Sequence, residues 1–136
     1  MKIIFFDNSL KLSDLRNHVS KDDLIITFDY DSHNLLLDNE INHKISDEFL
    51  VKNDLEEIQY SSYKTIKWFE DKKFKNFNHD GFNLGSSIQV ELNYYLVPLI
   101  KKFLEIEKIV KKYPEFEFIS SSNYELIIQK ICEKYK

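Results

Sequence analysis

Two short, almost wholly apolar runs near the N-terminus place the strongest constraint on the fold. Residues 2–6 read KIIFF and are followed by a polar tripeptide at 7–9, whereas residues 24–28 read LIITF and are followed by Asp29. Neither run alternates apolar with polar residues, so neither predicts a strand with one face in water. Short apolar runs that end in turn-forming residues are typical of strands buried on both faces, as in a parallel sheet covered by helices.

Apolar residues at spacings of three and four predict helices between and after these runs. The longest pattern predicts one helix of about 25 residues, kinked at Pro98 and ended by Pro114. Weaker apolar runs predict a third strand at 41–45 and a fourth at 115–119. The long helix carries a continuous apolar stripe made of Leu92, Tyr95, Leu99, Phe103, Ile106, Val110 and Tyr113.

Capping signals indicate where two further helices begin. Asn53 followed by Glu56, and Ser122 followed by Glu125, both have the spacing of a capping box. The predicted order is therefore strand-helix-strand-(helix-strand)-helix-helix-strand-helix. Strands that alternate with helices in this way favour a parallel sheet with helices on both faces.

We therefore expect an α/β fold, namely a three-layer Rossmann-like domain with a short, mostly parallel sheet of three to four strands. The length of 136 residues and the hydrophobic content of 43% suit a single domain over residues 1–136. Doubly wound sheets usually contain more strands than this. We therefore also expect these residues to be the N-terminal part of a longer protein.

Composition argues against several classes of function. A net charge of -4 gives no broad electrostatic attraction to nucleic acid. Two glycines are too few for a glycine-rich phosphate-binding motif, and we therefore expect no cofactor. One cysteine, and four histidines without i, i+4 spacing, do not support a metal site.

The lengths of the apolar runs and the N-terminal pattern indicate where in the cell the protein is located. No apolar run approaches the roughly 20 residues of a membrane span, and the N-terminus lacks a signal-peptide pattern. We expect a cytoplasmic protein without a transmembrane segment. The basic, aromatic stretch at 67–82 leaves peripheral association with a membrane open, although a helix end that packs its aromatic side chains is the simpler interpretation.

The sequence DYDS at residues 29–32 is the first candidate site. Asp29 and Asp31 match the Asp-x-Asp motif of haloacid-dehalogenase-type phosphatases. In that motif the first Asp attacks phosphorus, and the second acts as acid and base beside a metal. That motif normally follows the first strand, and a Gly often follows its second Asp, whereas here Ser32 does. The favoured interpretation is that both carboxylates close a buried strand and shape the next turn.

Polar residues also follow the first and the last predicted strand. Asp7 and Asn8 follow the first, and Ser120 opens the serine run after the last. Open α/β sheets bind ligands at the carboxyl ends of their strands, so Asp7 and Asp29 would share that edge if the first two strands are neighbours. Ser120 precedes a helix N-terminus, where exposed amides favour anions. Helix capping is the alternative explanation for these residues.

Residues 76–85 (NFNHDGFNLG) contain both glycines and predict a loop before the longest helix. His79, Asp80 and Gly81 lie inside this loop, and Gly85 lies at its end. These four residues either contribute to the binding of an acceptor or only form a turn.

Four segments together resemble a known family: residues 41–50, 63–69, 80–87 and 114–119. Their pattern and spacing look like the N-terminal part of surface-polysaccharide glycosyltransferases of the two-lobed (GT-B) type. In that family a glycine-containing loop leads into a long helix that bears a Glu, and Gly85 and Glu91 match those two features.

The resemblance implies a function and partners. In such enzymes the active site lies between two Rossmann-like lobes, and the C-terminal lobe supplies most of the binding of the nucleotide-sugar donor. This chain would be the acceptor-side lobe, which binds the saccharide acceptor and transfers no sugar by itself. The residues carried over as substrate-binding are His79, Asp80, Gly81 and Gly85 with the strand-end groups, and none is assigned as catalytic.

Two alternatives remain open at this level. The first is a small stand-alone α/β binding or regulatory module without catalysis. The second is an Asp-dependent phosphatase that uses Asp29 and Asp31. A transferase lobe predicts a reading frame that continues into a second domain, whereas neither alternative requires one.

Overall fold

The computed structural model describes residues 1–135, and it describes the side chains of all of these except 16, 18, 75–77, 122 and 123. In chain order the strands and α-helices are β1 (Lys2–Phe6), α1 (Leu12–His18), β2 (Leu24–Thr27), α2 (Tyr30–Asp38), β3 (Lys44–Ile45), α3 (Lys52–Ile66), β4 (Asn78–His79), β5 (Phe82–Asn83), α4 (Leu84–Ser87), α5 (Gln89–Lys112), β6 (Glu117–Ser120) and α6 (Ser122–Tyr135). Short 3-10 helices lie at Ser46–Phe49, Trp68–Glu70 and Lys72–Phe77.

The described chain divides into two compact units. The first unit comprises Met1–Leu50 together with the residues from Glu105 onward, and the second comprises Val51–Leu104. The sequence predicts a single Rossmann-like α/β domain over residues 1–136, and this stays a prediction. None of the described helices is both long enough and apolar enough to cross a membrane.

The first unit contains a four-stranded, wholly parallel sheet with the order β3-β2-β1-β6. Ile4 in the middle of β1 pairs with Ile25 of β2 on one side and with Ile119 of β6 on the other. The predicted α/β, Rossmann-like fold is therefore confirmed. The order corresponds to the first four strands of the 3-2-1-4-5-6 arrangement of doubly wound sheets.

Successive residues of β1 pack into two different cores, because neighbouring side chains of a strand point to opposite faces. Ile3 and Phe5 belong to one cluster, and Ile4 and Phe6 belong to the other. The first cluster also contains Ile26, Ile106, Ile109, Val110, Tyr124, Ile128 and Ile131, and the second also contains Leu15, Ile25 and Leu36. Helices α5 and α6 thus cover one face and α1 and α2 the other, which is why the strand carries no polar alternation.

The strand order creates a switch point between β1 and β6. The chain leaves β1 through α1 to reach β2 on one side, whereas β6 arrives on the other side after α5. In open α/β sheets the crevice outside the carboxyl ends of the strands at such a point is the usual ligand site. The ends of β1 and β6 are therefore where a ligand is expected.

Several predicted boundaries differ from those in the structure. The third strand, predicted at 41–45, contains only Lys44–Ile45, and it is an edge strand that pairs with β2 alone. The fourth, predicted at 115–119, is Glu117–Ser120. Pairing with β1 starts at Glu117, and this register sets where the strand begins.

The capping box predicted at Asn53 and Glu56 is wrong. Helix α3 begins at Lys52, and Asp54 Oδ2 accepts a hydrogen bond from the Val51 backbone N–H at 2.8 Å. Val51 has extended backbone angles, so it is the residue before the helix, and Asp54 lies three positions after it. The side chain of Ser122, predicted to cap the last helix, lies outside the described residues.

The long predicted helix is confirmed as α5, which has 24 residues and ends at Lys112, before Pro114. Its stripe, however, is not buried throughout. Ile106 and Val110 are fully buried, whereas Leu99 is 55% exposed and Tyr95 is 77% exposed. Periodicity identifies the apolar side of a helix, but it does not show how much of that side meets a partner.

The second unit turns at a tight hairpin inside the predicted loop at 76–85. Strands β4 and β5 pair antiparallel, and the two residues between them, Asp80 and Gly81, have positive φ angles of 50° and 79°. Positive φ at both positions is the requirement of a type I′ turn, which Asp-Gly satisfies well. The loop prediction therefore overlooked a hairpin, although the Asp-Gly pair is its usual signal.

The partial burial of the α5 stripe predicts two different mutational costs. Ile106→Ala should lower the free energy of unfolding by about 2–5 kcal/mol, because it opens a cavity among fully buried side chains. Leu99→Ala, on the same stripe, should lower it by less than about 1 kcal/mol. Urea unfolding followed by circular dichroism measures both. Equal losses would show that the stripe is buried along its whole length.

Candidate functional site

Asp7 is a buried carboxylate at the carboxyl end of β1, with 3% of its surface exposed. Its Oδ1 accepts hydrogen bonds from the Ser9 backbone N–H at 2.9 Å and from the Ser9 hydroxyl at 2.5 Å. Its Oδ2 accepts one from the buried Ser121 hydroxyl at 2.9 Å. Because Ser121 directly follows β6, this carboxylate links the ends of the two strands that flank the switch point.

Tyr124, in the first turn of α6, lies against the same carboxylate. Burial raises the pKa of the Tyr124 phenol strongly, and the negative charges of Asp7, Asp29 and Glu105 raise it further, as does a hydrogen bond to Asp7. The phenol therefore stays protonated and remains a hydrogen-bond donor to Asp7. Sequence analysis included Ser121 in the candidate serine run after the last strand, but it did not identify Tyr124 or Glu105, since both look like ordinary helix residues.

Asp29 caps helix α2. Its Oδ1 accepts a hydrogen bond from the Ser32 backbone N–H at 2.8 Å, and its Oδ2 accepts one from the Ser32 hydroxyl, also at 2.8 Å. Asp29 has extended backbone angles and is the residue before the helix. The interpretation of Asp29 as a strand-closing cap is therefore confirmed. Asp31 lies in the first helical turn, where a negative charge is favoured, and its side chain is exposed.

The sheet topology brings five of the sequence-predicted residues to one edge. Asp7 and Asn8 follow β1, Asp29 and Asp31 follow β2, and Ser120 is the last residue of β6. From the sequence, Asp7 and Asp29 are expected to share this edge if the first two strands are neighbours. Strands β1 and β2 are neighbours in the sheet. We call these five residues the carboxyl edge. Asn8 and Asp31 are exposed there, whereas Ser120 is partly buried.

The other four predicted residues lie in the second unit. His79 and Asp80 contact each other, with His79 Nδ1 and Asp80 Oδ2 3.2 Å apart, and both side chains are largely exposed. Gly81 supplies the positive φ of the hairpin turn. A Cβ added at Gly85 would lie 2.2 Å from the Cβ of Phe69, so this glycine is required for packing. Gly81 and Gly85 therefore have structural roles, whereas the His79 and Asp80 side chains remain exposed.

A histidine pair that the sequence did not predict lines a cleft in the first unit. His33 Nδ1 and His43 Nε2 are 2.8 Å apart, and His43 Nδ1 lies 2.8 Å from the Ile41 carbonyl oxygen. A carbonyl only accepts, so His43 Nδ1 donates to it, and the second ring nitrogen of His43 meets His33 Nδ1. The two histidines are ten positions apart in the chain, and no spacing rule connects them.

The cleft beside this pair has a volume of about 310 Å³, and Glu40 and Glu48 also line it. Two imidazoles in contact do not by themselves make a metal site, since such sites usually require three or four protein ligands. Among the described residues, no group of three or more His, Cys, Asp or Glu side chains could hold a metal ion.

Comparison with known proteins adds no relative. The chain matches no protein-family model, no curated protein and no solved structure. What can be said about its function therefore comes from the fold and from the carboxyl edge.

The raised pKa of Tyr124 predicts a loss of stability in alkali. Folding holds this pKa above the ordinary value of about 10, so the unfolded chain releases the proton first. The contribution is complete below about pH 10 and falls by roughly 1.4 kcal/mol per pH unit above it. Urea unfolding at about pH 8 and about pH 11 should show a smaller loss for Tyr124→Phe than for the wild type. Identical losses in the two proteins would contradict the assignment.

Proposed function

We propose that this chain is the acceptor-side lobe of a two-lobed glycosyltransferase of surface-polysaccharide biosynthesis. The observation that supports the proposal best is the position of the carboxyl edge, which lies beside the switch point of a parallel sheet with the order β3-β2-β1-β6. Rossmann-like lobes bind their ligands at this position. The resemblance of segments 41–50, 63–69, 80–87 and 114–119 to such lobes points to the same function.

The exposed part of the carboxyl edge has the chemistry that a saccharide requires. The carboxylate of Asp31 accepts hydrogen bonds from sugar hydroxyls, and the amide of Asn8 both donates and accepts. Both residues belong to turns that buried contacts hold in place, since Asp29 caps the helix that bears Asp31 and Asp7 binds the turn that follows Asn8. Fixed polar groups at the rim of a rigid sheet suit the positioning of an acceptor hydroxyl.

Transfer itself requires more than this lobe. The bond from the anomeric carbon to the nucleoside diphosphate breaks, a bond to the acceptor oxygen forms, and the acceptor proton moves to a base. The nucleotide-sugar donor would be held by a second lobe, on the same polypeptide or on a partner chain. We therefore expect residues 1–136 alone to transfer no sugar. A cytoplasmic location and peripheral contact with a membrane belong to the same proposal.

A matched pair of variants tests the role of the carboxyl edge. In the complete polypeptide that the source gene encodes, Asp31→Asn should reduce sugar transfer at least about tenfold, because a charged hydrogen bond to the acceptor is lost. Asp38→Asn should leave the rate unchanged, since Asp38 is exposed at the opposite end of the same helix. The assay follows labelled sugar from a panel of nucleotide sugars to saccharide acceptors.

Two results would contradict the proposal. One is the absence of transfer from every nucleotide sugar in the panel by the complete polypeptide. The other is an equal effect of Asp31→Asn and Asp38→Asn, which would mean that the carboxyl edge takes no part. Binding of a ligand without any transfer would instead favour the stand-alone module.

A further inference from the structure

A groove between α3 and α5 within the second unit has the volume and the lining side chains of a ligand site. Its volume is about 490 Å³, which lies within the range of small-molecule pockets. We call it the tyrosine groove, and its lining includes Glu56, Gln59, Tyr60, Tyr63, Ile66 and Asn93. None of these residues belongs to the carboxyl edge or was identified from the sequence as part of a site.

Two aromatic rings, together with Ile66 and Val97, form the apolar part of the tyrosine groove. Tyr60 and Tyr63 are three residues apart on α3, so they are neighbours on one face of the helix, and they are 68% and 55% exposed. Ile66 continues that face one turn later and is buried. The Lys67 ammonium lies 4.4 Å from the centroid of the Tyr63 ring, a cation–π contact that restrains the ring.

The polar groups of the tyrosine groove include both donors and acceptors. The buried hydroxyl of Ser62 donates to Asn93 Oδ1 at 2.6 Å, which orients the Asn93 amide and leaves its Nδ2 hydrogens as donors. Gln59 adds a second amide, and Glu56 adds a carboxylate on the same helix. Hydroxyl groups, which donate and accept at once, complement such a mixed set.

The charge of the lining decides between ligand classes. Glu56 is the one charged side chain among the described residues that line the groove, and it is negative. Its carboxylate lies 4.0 Å from Lys52 Nζ, and Lys67 beside the Tyr63 ring lies 3.7 Å from Glu70. Because each of these cations already faces a carboxylate, a phosphate or a nucleotide would find little compensation for its charge. A lipid chain would leave the amides of Gln59 and Asn93 without hydrogen bonds, which is costly. A neutral, polyhydroxylated ligand with one apolar face brings no charge that needs compensation, and its hydroxyls hydrogen-bond to the amides.

We propose that the tyrosine groove binds a neutral saccharide. The C–H face of a sugar ring packs on Tyr60 and Tyr63, and its hydroxyls hydrogen-bond to Asn93, Gln59 and Glu56. This site is distinct from the carboxyl edge, and saccharide binding here does not depend on transferase activity.

The test begins with a glycan array probed with the protein. Binding to neutral glycans is expected, and the dissociation constant of the best of them is then measured by titration calorimetry. Tyr63→Ala removes a stacking ring, and Asn93→Asp keeps the acceptor for Ser62 while replacing the amide donors. Each should weaken binding at least about tenfold. Tyr94→Ala removes an exposed tyrosine of α5 outside the lining and should leave binding unchanged.

The outcomes separate the tyrosine groove from the carboxyl edge. Glycan binding that is lost in Tyr63→Ala and in Asn93→Asp but kept in Tyr94→Ala supports the groove, even if the complete polypeptide transfers no sugar. Binding that is kept in Tyr63→Ala and in Asn93→Asp overturns the inference, as does an array that shows only acidic glycans or none. Circular dichroism and urea unfolding establish that each variant is folded before its affinity is compared.

Discussion

The buried carboxylate of Asp7 is the interaction on which the carboxyl edge of the sheet depends. Taking a carboxylate out of water is costly, and the cost is offset only when charged hydrogen bonds replace the lost hydration. Asp7 obtains them from Ser9 in the next turn and from Ser121 after β6. The group thus ties together two strands that are neighbours in the sheet but more than a hundred residues apart in the chain.

The acidic residues of this edge have different environments and therefore different roles. Asp7 is buried and joins strand ends, and Asp29 has both oxygens hydrogen-bonded to Ser32. Asp31 is exposed. Asp7 and Asp29 hold the backbone in place, whereas Asp31 and Asn8 are exposed polar groups of this edge. A rigid support beneath a polar rim is what a binding site on a parallel sheet requires.

Local patterns allowed the fold class to be predicted, whereas long-range contacts did not follow from the sequence. The runs around Ile4 and Ile25 are typical of strands buried on both faces, so a parallel sheet could be predicted. The contact of His33 with His43, and that of Ser121 with Asp7, depend on how the elements pack, and no spacing rule encodes them. The stripe of α5 shows the same limit, because periodicity selects a face but not the length over which it is covered.

The most direct test of this account is a double-mutant cycle on Asp7 and Ser121, measured by urea unfolding of the wild type, Asp7→Ala, Ser121→Ala and the double variant. A hydrogen bond to a buried carboxylate predicts a coupling free energy of about 1–3 kcal/mol between the two residues. Stability changes that add to within about 0.5 kcal/mol would show that the two side chains act independently. The carboxyl ends of β1 and β6 would then not be held together by Asp7, and the central claim would be wrong.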